Sequence, residues 1–458
     1  MDARRIQSFF PYSQKIHYQA DFCNDNQLNT LLEQGKKASV HQKESSIATK
    51  TQLFLNLKTL LEKDKIKLGE LITLEMGKPL PESIAEIEKC AHLCGFYALN
   101  AEKWLSSYAI ESSEKSEKRV EYHPLGLILG IMPWNFPFWQ VFRCAVPALC
   151  AGNTILLKHS PNVPLCALKI EELFLKAGFN EGVYQNLFID EEQVEQILAD
   201  SRVKAVSLTG SEKAGRSVAS FAGKYLKKQV LELGGSDPYI VMPSADLKLA
   251  AQWAVKARMI SNGQSCIAAK RFIIHEQVYE EWMSSLKQHL SLLKFGDPME
   301  PAVQVGPLAR IDLADQLRMQ VAQAVNAGAS VEANYFFETV NMHFVPITIL
   351  VNIKRENPVY SQELFGPVFC VFKVKSKEEA LALANDSPFG LGASVWTLEK
   401  EEQSFFSNQL ESGAVFVNSI VASNAAVPFG GIKNSGYGRE LAEEGLKEFC
   451  NVKAIVIN

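Results

Sequence analysis

Cys266 stands in the run SNGQSCIAAKR, among small and polar residues and off any apolar stripe. That is an accessible loop setting, in which a thiol can act as a nucleophile. No histidine lies near it in sequence, so a papain-like pairing has no local support, and a lone cysteine is more often inert. The other eight cysteines mostly fit the inert reading: Cys90 and Cys94 are one helical turn apart, and Cys144, Cys150 and Cys166 lie in apolar helical context. Glu232, in VLELGGSDP, is a carboxylate at the end of an apolar strand, followed by two glycines that let other groups come close. Burial there would raise its pKa toward the range of a general base. Lying 22 residues after Gly210, it reads equally as the ribose-binding acid of a Rossmann unit, or as a buried carboxylate satisfied by backbone donors.

Asn135, in MPWNFPFW, is an amide fixed between Trp134 and Phe136 with a proline on either side. Such an amide could donate to an oxyanion, or serve as a plain turn asparagine. Lys158 ends TILLK, where it could meet ribose or phosphate oxygens or simply be a solvated strand end. In KAVSLTGSEKAGR a strand runs into Gly210 and Gly215 opens a helix, but Glu212 occupies the place where GxGxxG has its middle glycine. If this loop binds a dinucleotide, Ser211 and the helix amino terminus meet a phosphate in another pose. Otherwise it is a strand-turn-helix without a ligand.

These residues need strand ends to hold them. From Leu125 onward the runs LILGIM, TILLK, VYQNLF, KAVSLTG and QVLELGG alternate with helix-length segments, the pattern of a parallel, doubly wound sheet. Ligands of such sheets bind beyond the carboxyl ends of the strands, which is where Asn135, Lys158, Gly210 and Glu232 fall. A second α/β block begins near Pro238, with strands PYIVM, RFIIH, VFCVFKV and GAVFVNS and helices around 246–261 and 277–292. Upstream, residues 47–104 read as helices. One carries Leu53, Leu57, Leu60 and Leu61; a second carries Leu68, Leu71, Ile72 and Met76 and stops at Gly77 and Pro79; a third carries Ile84, Ile87, Ala91, Cys94 and Ala98. The polar run SSEKSEKR, residues 112–119, interrupts this pattern and leads into RVEYHP, an alternating strand. The tail CNVKAIVIN is strand-like and apolar on both faces, so it needs a partner, which RVEYHP could supply within or between chains.

At 458 residues and 47% hydrophobic, the chain has apolar surface for two or more domains. A net charge of -4 provides no field for nucleic acid or an anionic membrane, which favours a small-molecule ligand. The start, MDARRIQSFFPYSQ, has no apolar h-region, and prolines, glycines and an asparagine break the stretch from Leu125 to Phe142, so neither a signal peptide nor a membrane span is expected. Nine scattered cysteines suggest reduced thiols of a cytoplasmic protein, and the absence of HxxxH, HExxH or zinc-spaced cysteines argues against a metal.

Taken in order, PWNFP, the lysine ending TILLK, TGSEKAG, LELGG, GQSC and ELFGP resemble the motifs of the aldehyde dehydrogenase superfamily, from about residue 30 to the end. The resemblance implies an α/β fold of two Rossmann-type doubly wound domains plus a bridging strand element. Their spans would be 1–102 with 125–234 for the cofactor, 235–440 for catalysis, and 103–124 with 441–458 for oligomerisation into a homodimer or dimer of dimers. It also implies that Cys266 attacks an aldehyde, that the Asn135 amide and the Cys266 N–H hold the oxyanion, and that Glu232 deprotonates the water that hydrolyses the thioester. Met132, Pro133, Trp134, Lys158, Gly210, Ser211, Glu363 and Phe365 would face the cofactor. Glu363 would take the nicotinamide ribose with Phe365 beside it, while Lys158 and Ser211 would meet the adenosine ribose and pyrophosphate.

One departure bears on the cofactor: KHSP replaces the KPxE common in the family, leaving Pro161 where a ribose-binding glutamate would be. Loss of a carboxylate that repels a 2′-phosphate, beside a retained Lys158, implies NAD with NADP accepted. In a second departure Cys266 is followed by Ile267 and Ala268, so no neighbouring cysteine is available for a disulfide switch. Within the family, WNFPFWQVFR, LKHSPNV, LELGGSDP and NGQSCIAAKRFI are most similar to the short bacterial succinate-semialdehyde dehydrogenases. That similarity implies Arg143 and Ser423 as ligands of a substrate carboxylate, with Arg258 ranked behind them and a helix-surface salt bridge as the plain reading of Arg143. Three other readings stand beside it: another aliphatic or aromatic aldehyde, a CoA-acylating enzyme, which Glu232 argues against, and a non-catalytic protein, which would not need Cys266, Glu232, Asn135 and Lys158 together.

Overall fold

The computed structural model describes residues 5–113, 116–335 and 341–458. The first apolar runs form a six-stranded sheet, in which the parallel strands Lys228–Glu232, Val203–Thr209, Leu127–Met132, Thr154–His159 and Tyr184–Asn186 lie in that order. A short strand, Gly436–Tyr437, pairs antiparallel with Lys228–Glu232, so the chain returns to this sheet near its end. Strand order reverses between Leu127–Met132 and Val203–Thr209, which opens a crevice beyond their carboxyl ends. Asn135 follows one of these strands and Gly210 the other.

The second sheet has seven strands in the order Ser330–Tyr335, Ile347–Val351, Val368–Val374, Ala269–His275, Asp237–Val241, Gly392–Trp396 and Ala414–Val417, parallel except for the first. Its contribution to the site comes from the opposite ends of the strands: Cys266 precedes Ala269–His275 and Glu363 precedes Val368–Val374.

Two long helices pack over Trp139–Cys150 and Pro164–Lys176, helices that lie against the first sheet. Ile47–Met76 is one helix of 30 residues where two were expected. No glycine or proline separates Leu61 from Leu68, both are buried, and the charged run EKDKIK between them is compatible with helix. It stops at Gly77, whose φ of 74° suits glycine, and Pro79 leads into Leu80–Leu105, which packs back along it. The helix Trp139–Cys150 is buried at all twelve positions. No helix among the described residues is long and apolar enough to cross a membrane.

The tail finds the expected partner within the same chain. Cys450–Ile457 pairs antiparallel with Ser116–Pro124, Cys450 opposite Pro124 and Ile457 opposite Glu117, and Tyr108–Ser113 flanks the other side. Of the polar run at 112–119, residues 114–115 lie outside the described residues. Val452, Val456 and Ile457 are exposed on this edge strand.

Candidate active site

The loop before Cys266 is pinned by side-chain and backbone groups of other segments. Ser261 and Asn262 both take left-handed φ angles, 53° and 57°, which cost non-glycine residues about 1–3 kcal/mol each. Holding them there, the Ser261 N–H donates to Glu82 Oε2 at 2.7 Å, and Asn262 Nδ2 donates to the carbonyls of Gly77 and Pro307, each at 3.1 Å. The Gly306 N–H returns a bond to Asn262 Oδ1 at 2.9 Å. Gln264 accepts from the Ala309 N–H at 3.0 Å and offers its carbonyl to Asn135 Nδ2 at 2.9 Å. Asn135 is therefore one hydrogen bond from the Cys266 loop, and its Oδ1 is buried with no partner among the described residues.

Cys266 and Cys23 are the two partly exposed cysteines; the other seven are buried. Burial pushes the Cys266 thiol up to about 12, while the charges of Arg143 and Lys270 pull it down. Lys270, in the following strand, donates to the carbonyls of Ser265 at 2.9 Å and Cys266 at 2.8 Å, and its Nζ lies 3.4 Å from Glu363.

Glu232 ends its strand with both carboxylate oxygens buried and without a partner among the described residues. Gly430 leaves room for it, since a Cβ there would stand 2.7 Å from Glu232 Oε1. Burial raises Glu232 well above the usual carboxylate range; Arg143 opposes that rise and Glu440 adds to it. The surface salt bridge considered for Arg143 does not form, because its helix is buried all round. Its guanidinium is instead sequestered in an ion pair with Glu440, with Nη2 3.4 Å from Thr209 Oγ1 and the group 4.4 Å from the Phe429 ring centre. From there its charge is felt at both Glu232 and Cys266.

The helix Leu80–Leu105 supplies a second set of groups that the sequence did not single out. Glu82, Glu86 and Lys89 are spaced to share one face, opposite the apolar stripe of Ile84, Ile87 and Ala91, and so read as a solvent face. That face is turned to the site. Glu82 holds the Ser261 N–H, as above. Glu86, in a buried ion pair with Lys78, also accepts from the N–H groups of Phe138 at 2.8 Å and Trp139 at 2.9 Å, just beyond Asn135. Lys89 donates to Ser423 Oγ at 2.7 Å, with its ammonium 4.1 Å from the Trp139 ring centre. The Trp139 indole N–H donates to the same Ser423 oxygen at 3.0 Å.

The expected cofactor residues fall at neighbouring strand ends. Glu363 accepts from the Gly235 N–H at 3.2 Å, and a Cβ on Gly234 would sit 2.5 Å from Glu363 Oε2, so a larger residue there would displace the carboxylate. Phe365 packs edge-on against Trp134, ring centres 6.0 Å apart, and Trp134 and Met132 are buried at the end of the first strand, where Pro133 lies between them. Gly210 donates its N–H to the Glu232 carbonyl at 2.9 Å. Ser211 caps the helix Glu212–Lys224 by accepting from the Ala214 N–H at 3.3 Å, and Glu212 is drawn aside by Arg216, which leaves the helix start open to an anion. Burial lowers the pKa of Lys158, which makes no hydrogen bond or ion pair to a described residue. Pro161 is exposed in the turn after it. Between them His159, kept neutral by burial with its pKa lowered to about 4, bonds the Pro137 carbonyl at 2.8 Å and ties two strand ends together. An uncommitted cation, an open helix start and a carboxylate beside a glycine pair fit a phosphorylated dinucleotide.

A partly exposed thiol, a buried carboxylate and an amide donor thus meet beside the crevice at the switch point of the first sheet, and the match to known proteins gives this arrangement a family. Residues 1–455 match the model of the aldehyde dehydrogenase family, and the chain belongs to that family. A protein of Synechocystis sp. named "Probable succinate-semialdehyde dehydrogenase [NADP(+)]" is 49% identical over 398 residues, 87% of each chain. "Succinate-semialdehyde dehydrogenase [NADP(+)] 1" of Mycobacterium tuberculosis is 42% identical over 94% of this chain and 95% of its own. Among solved structures, the succinic semialdehyde dehydrogenase of Streptococcus pyogenes in complex with NADP+ superposes with a TM-score of 0.95 at 35% identity, covering 98% of this chain and 99% of that one.

Proposed function

We propose that this protein oxidises succinate semialdehyde to succinate with NADP+, and with NAD+ less well. The observation that carries the chemistry is the joining of a partly exposed Cys266, a buried and unpartnered Glu232 and the Asn135 amide through one charge field and one hydrogen-bonded loop. The substrate rests on the relatives named above.

Cys266 loses its proton and attacks the aldehyde carbon. The developing oxyanion is held by the Asn135 amide and the Cys266 N–H, donors already fixed before substrate arrives. NADP+, when bound, supplies the two-electron acceptor that turns the adduct into a thioester. Glu232, kept basic by burial, takes a proton from water, which attacks the thioester, frees the acid and returns the thiol. Arg143, its guanidinium held by Glu440, steadies the negative charge that alternates between Cys266 and Glu232, and Ser423 provides a hydroxyl at the substrate end. Lys158, Ser211 and Gly210 would hold the adenosine ribose and pyrophosphate, Met132, Pro133 and Trp134 the wall beside them, and Glu363 and Phe365 the nicotinamide ribose. Pro161 leaves space for a 2′-phosphate near Lys158.

The three-part division of the chain into cofactor, catalytic and bridging units follows from the same reading. The exposed edge of Cys450–Ile457 would carry dimer contacts, which light scattering tests. For the reaction itself, NADPH formation by purified protein is compared between succinate semialdehyde and hexanal. Selectivity for the former is expected; equal rates would remove the substrate assignment and leave the chemistry.

A further inference from the structure

We propose that Lys89, together with the hydroxyl of Ser423, is the group that binds the substrate's distal carboxylate, an inference that rests on the carboxylated-aldehyde reading above.

The other cations around the site are committed. Arg143 is paired with Glu440. Arg258 gives its guanidinium to the carbonyls of Val368 at 2.7 Å, Leu364 at 2.6 Å and Gly366. Lys270 is taken by two carbonyls and Glu363, and Lys78 by Glu86. Lys89 is largely buried, yet it meets a hydroxyl and an aromatic face and forms no ion pair with a described residue. Its pKa falls to about 8, first through burial and then through the neighbouring Arg143 charge. The charge of Glu86 offsets part of this, but a cation desolvated without a direct ion pair is costly, and a bound anion relieves that cost.

The hydrogen-bond inventory specifies which anion fits. Ser423 Oγ accepts from both Lys89 Nζ and the Trp139 indole, so its own hydrogen must point to some other acceptor. Lys89 likewise has ammonium hydrogens beyond the one it gives to Ser423. The cluster therefore offers donors from two adjacent groups and lacks an acceptor with several lone pairs, which a carboxylate provides. Trp139 and Arg143 are one helical turn apart on the helix that follows Asn135. The donor cluster and the charge that acts on Cys266 therefore meet the same face of that helix, one turn apart.

The test compares wild type, Lys89→Met, Lys89→Arg and Ser423→Ala in two assays. The first is the ratio of kcat/KM for succinate semialdehyde to that for butanal. The second, run without cofactor, is the succinate concentration that protects Cys266 from iodoacetamide. The ratio is expected to fall about 10–100-fold in Lys89→Met, the loss of a charged hydrogen bond, with protection weakened in parallel, a partial return in Lys89→Arg and a smaller fall in Ser423→Ala. If Lys89→Met keeps both the wild-type ratio and the wild-type protection, the role of Lys89 is refuted while the substrate reading stands. A wild type with neither preference nor protection refutes both. Should Lys89→Met fail to fold, an unchanged ratio and protection in Ser423→Ala would overturn the proposal.

Discussion

Replacing Glu86 by alanine removes three contacts made by one carboxylate: the buried ion pair with Lys78 and the bonds from the Phe138 and Trp139 N–H groups at 2.8 and 2.9 Å. Breaking a buried pair from one side costs about 3–5 kcal/mol, because the remaining charge is left uncompensated. Here that charge is Lys78, fully buried, left with the Phe136 ring 3.8 Å away and the more distant charge of Glu82. The two backbone bonds would each be worth about 1.5–3 kcal/mol alone, but all three losses share one group and do not sum. A destabilisation of about 3–5 kcal/mol is therefore the expected total, with less for Glu86→Gln, which keeps a carbonyl acceptor. The same carboxylate fixes the start of the helix that follows Asn135, so kcat/KM should fall as well, on the order of 100-fold for a displacement near 1 Å. Urea unfolding followed by fluorescence reads the first effect and NADPH formation the second. An alanine variant with wild-type unfolding midpoint and wild-type kcat/KM would refute the claim that this helix positions the site.

The pH dependence has a definite sign. Burial pushes the Cys266 thiol up to about 12, and it must lose its proton to attack, so kcat/KM should climb with pH across the alkaline range; Glu232, raised well above the usual carboxylate range, must be deprotonated for release, so kcat should fall toward acid; a flat profile or an acid optimum would contradict this. Pro161→Glu should raise the KM for NADP+ about tenfold or more while affecting NAD+ less, since a carboxylate is placed where the 2′-phosphate is accommodated. Unchanged cofactor KM values would move the phosphate site elsewhere.

How much was legible beforehand differs by residue. Asn135, Gly210 and Glu232 could be found because each lies at or just beyond the end of an apolar strand, and the rule of looking beyond carboxyl ends applies to the first sheet. The rule does not reach Cys266 or Glu363, which precede their strands, and these came from their flanking motifs. Lys89, Glu82 and Glu86 were missed because their spacing opposite an apolar stripe reads as a solvated face; only tertiary packing turns that face inward. Glu440 carried no local sign of being the partner of Arg143, which is distant in sequence. The split of Ile47–Met76 into two helices followed the change of apolar stripe, although nothing in 62–67 breaks a helix. The N-terminal hairpin Ile6–Phe9 with Ile16–Ala20 and the edge strand Ser330–Tyr335 went unread for a related reason: both include exposed edge positions that weaken the apolar alternation.

The central claim is that Cys266 carries the acyl group and Glu232 is needed only to release it. Glu232→Gln mixed with NADP+ and succinate semialdehyde should give a burst of about one NADPH per active site, followed by turnover about 100- to 10,000-fold slower than wild type. Peptide mass analysis of the quenched protein should find one succinyl group, attached to Cys266. Wild-type steady turnover in this variant, or an acyl group on any other residue, would contradict the account.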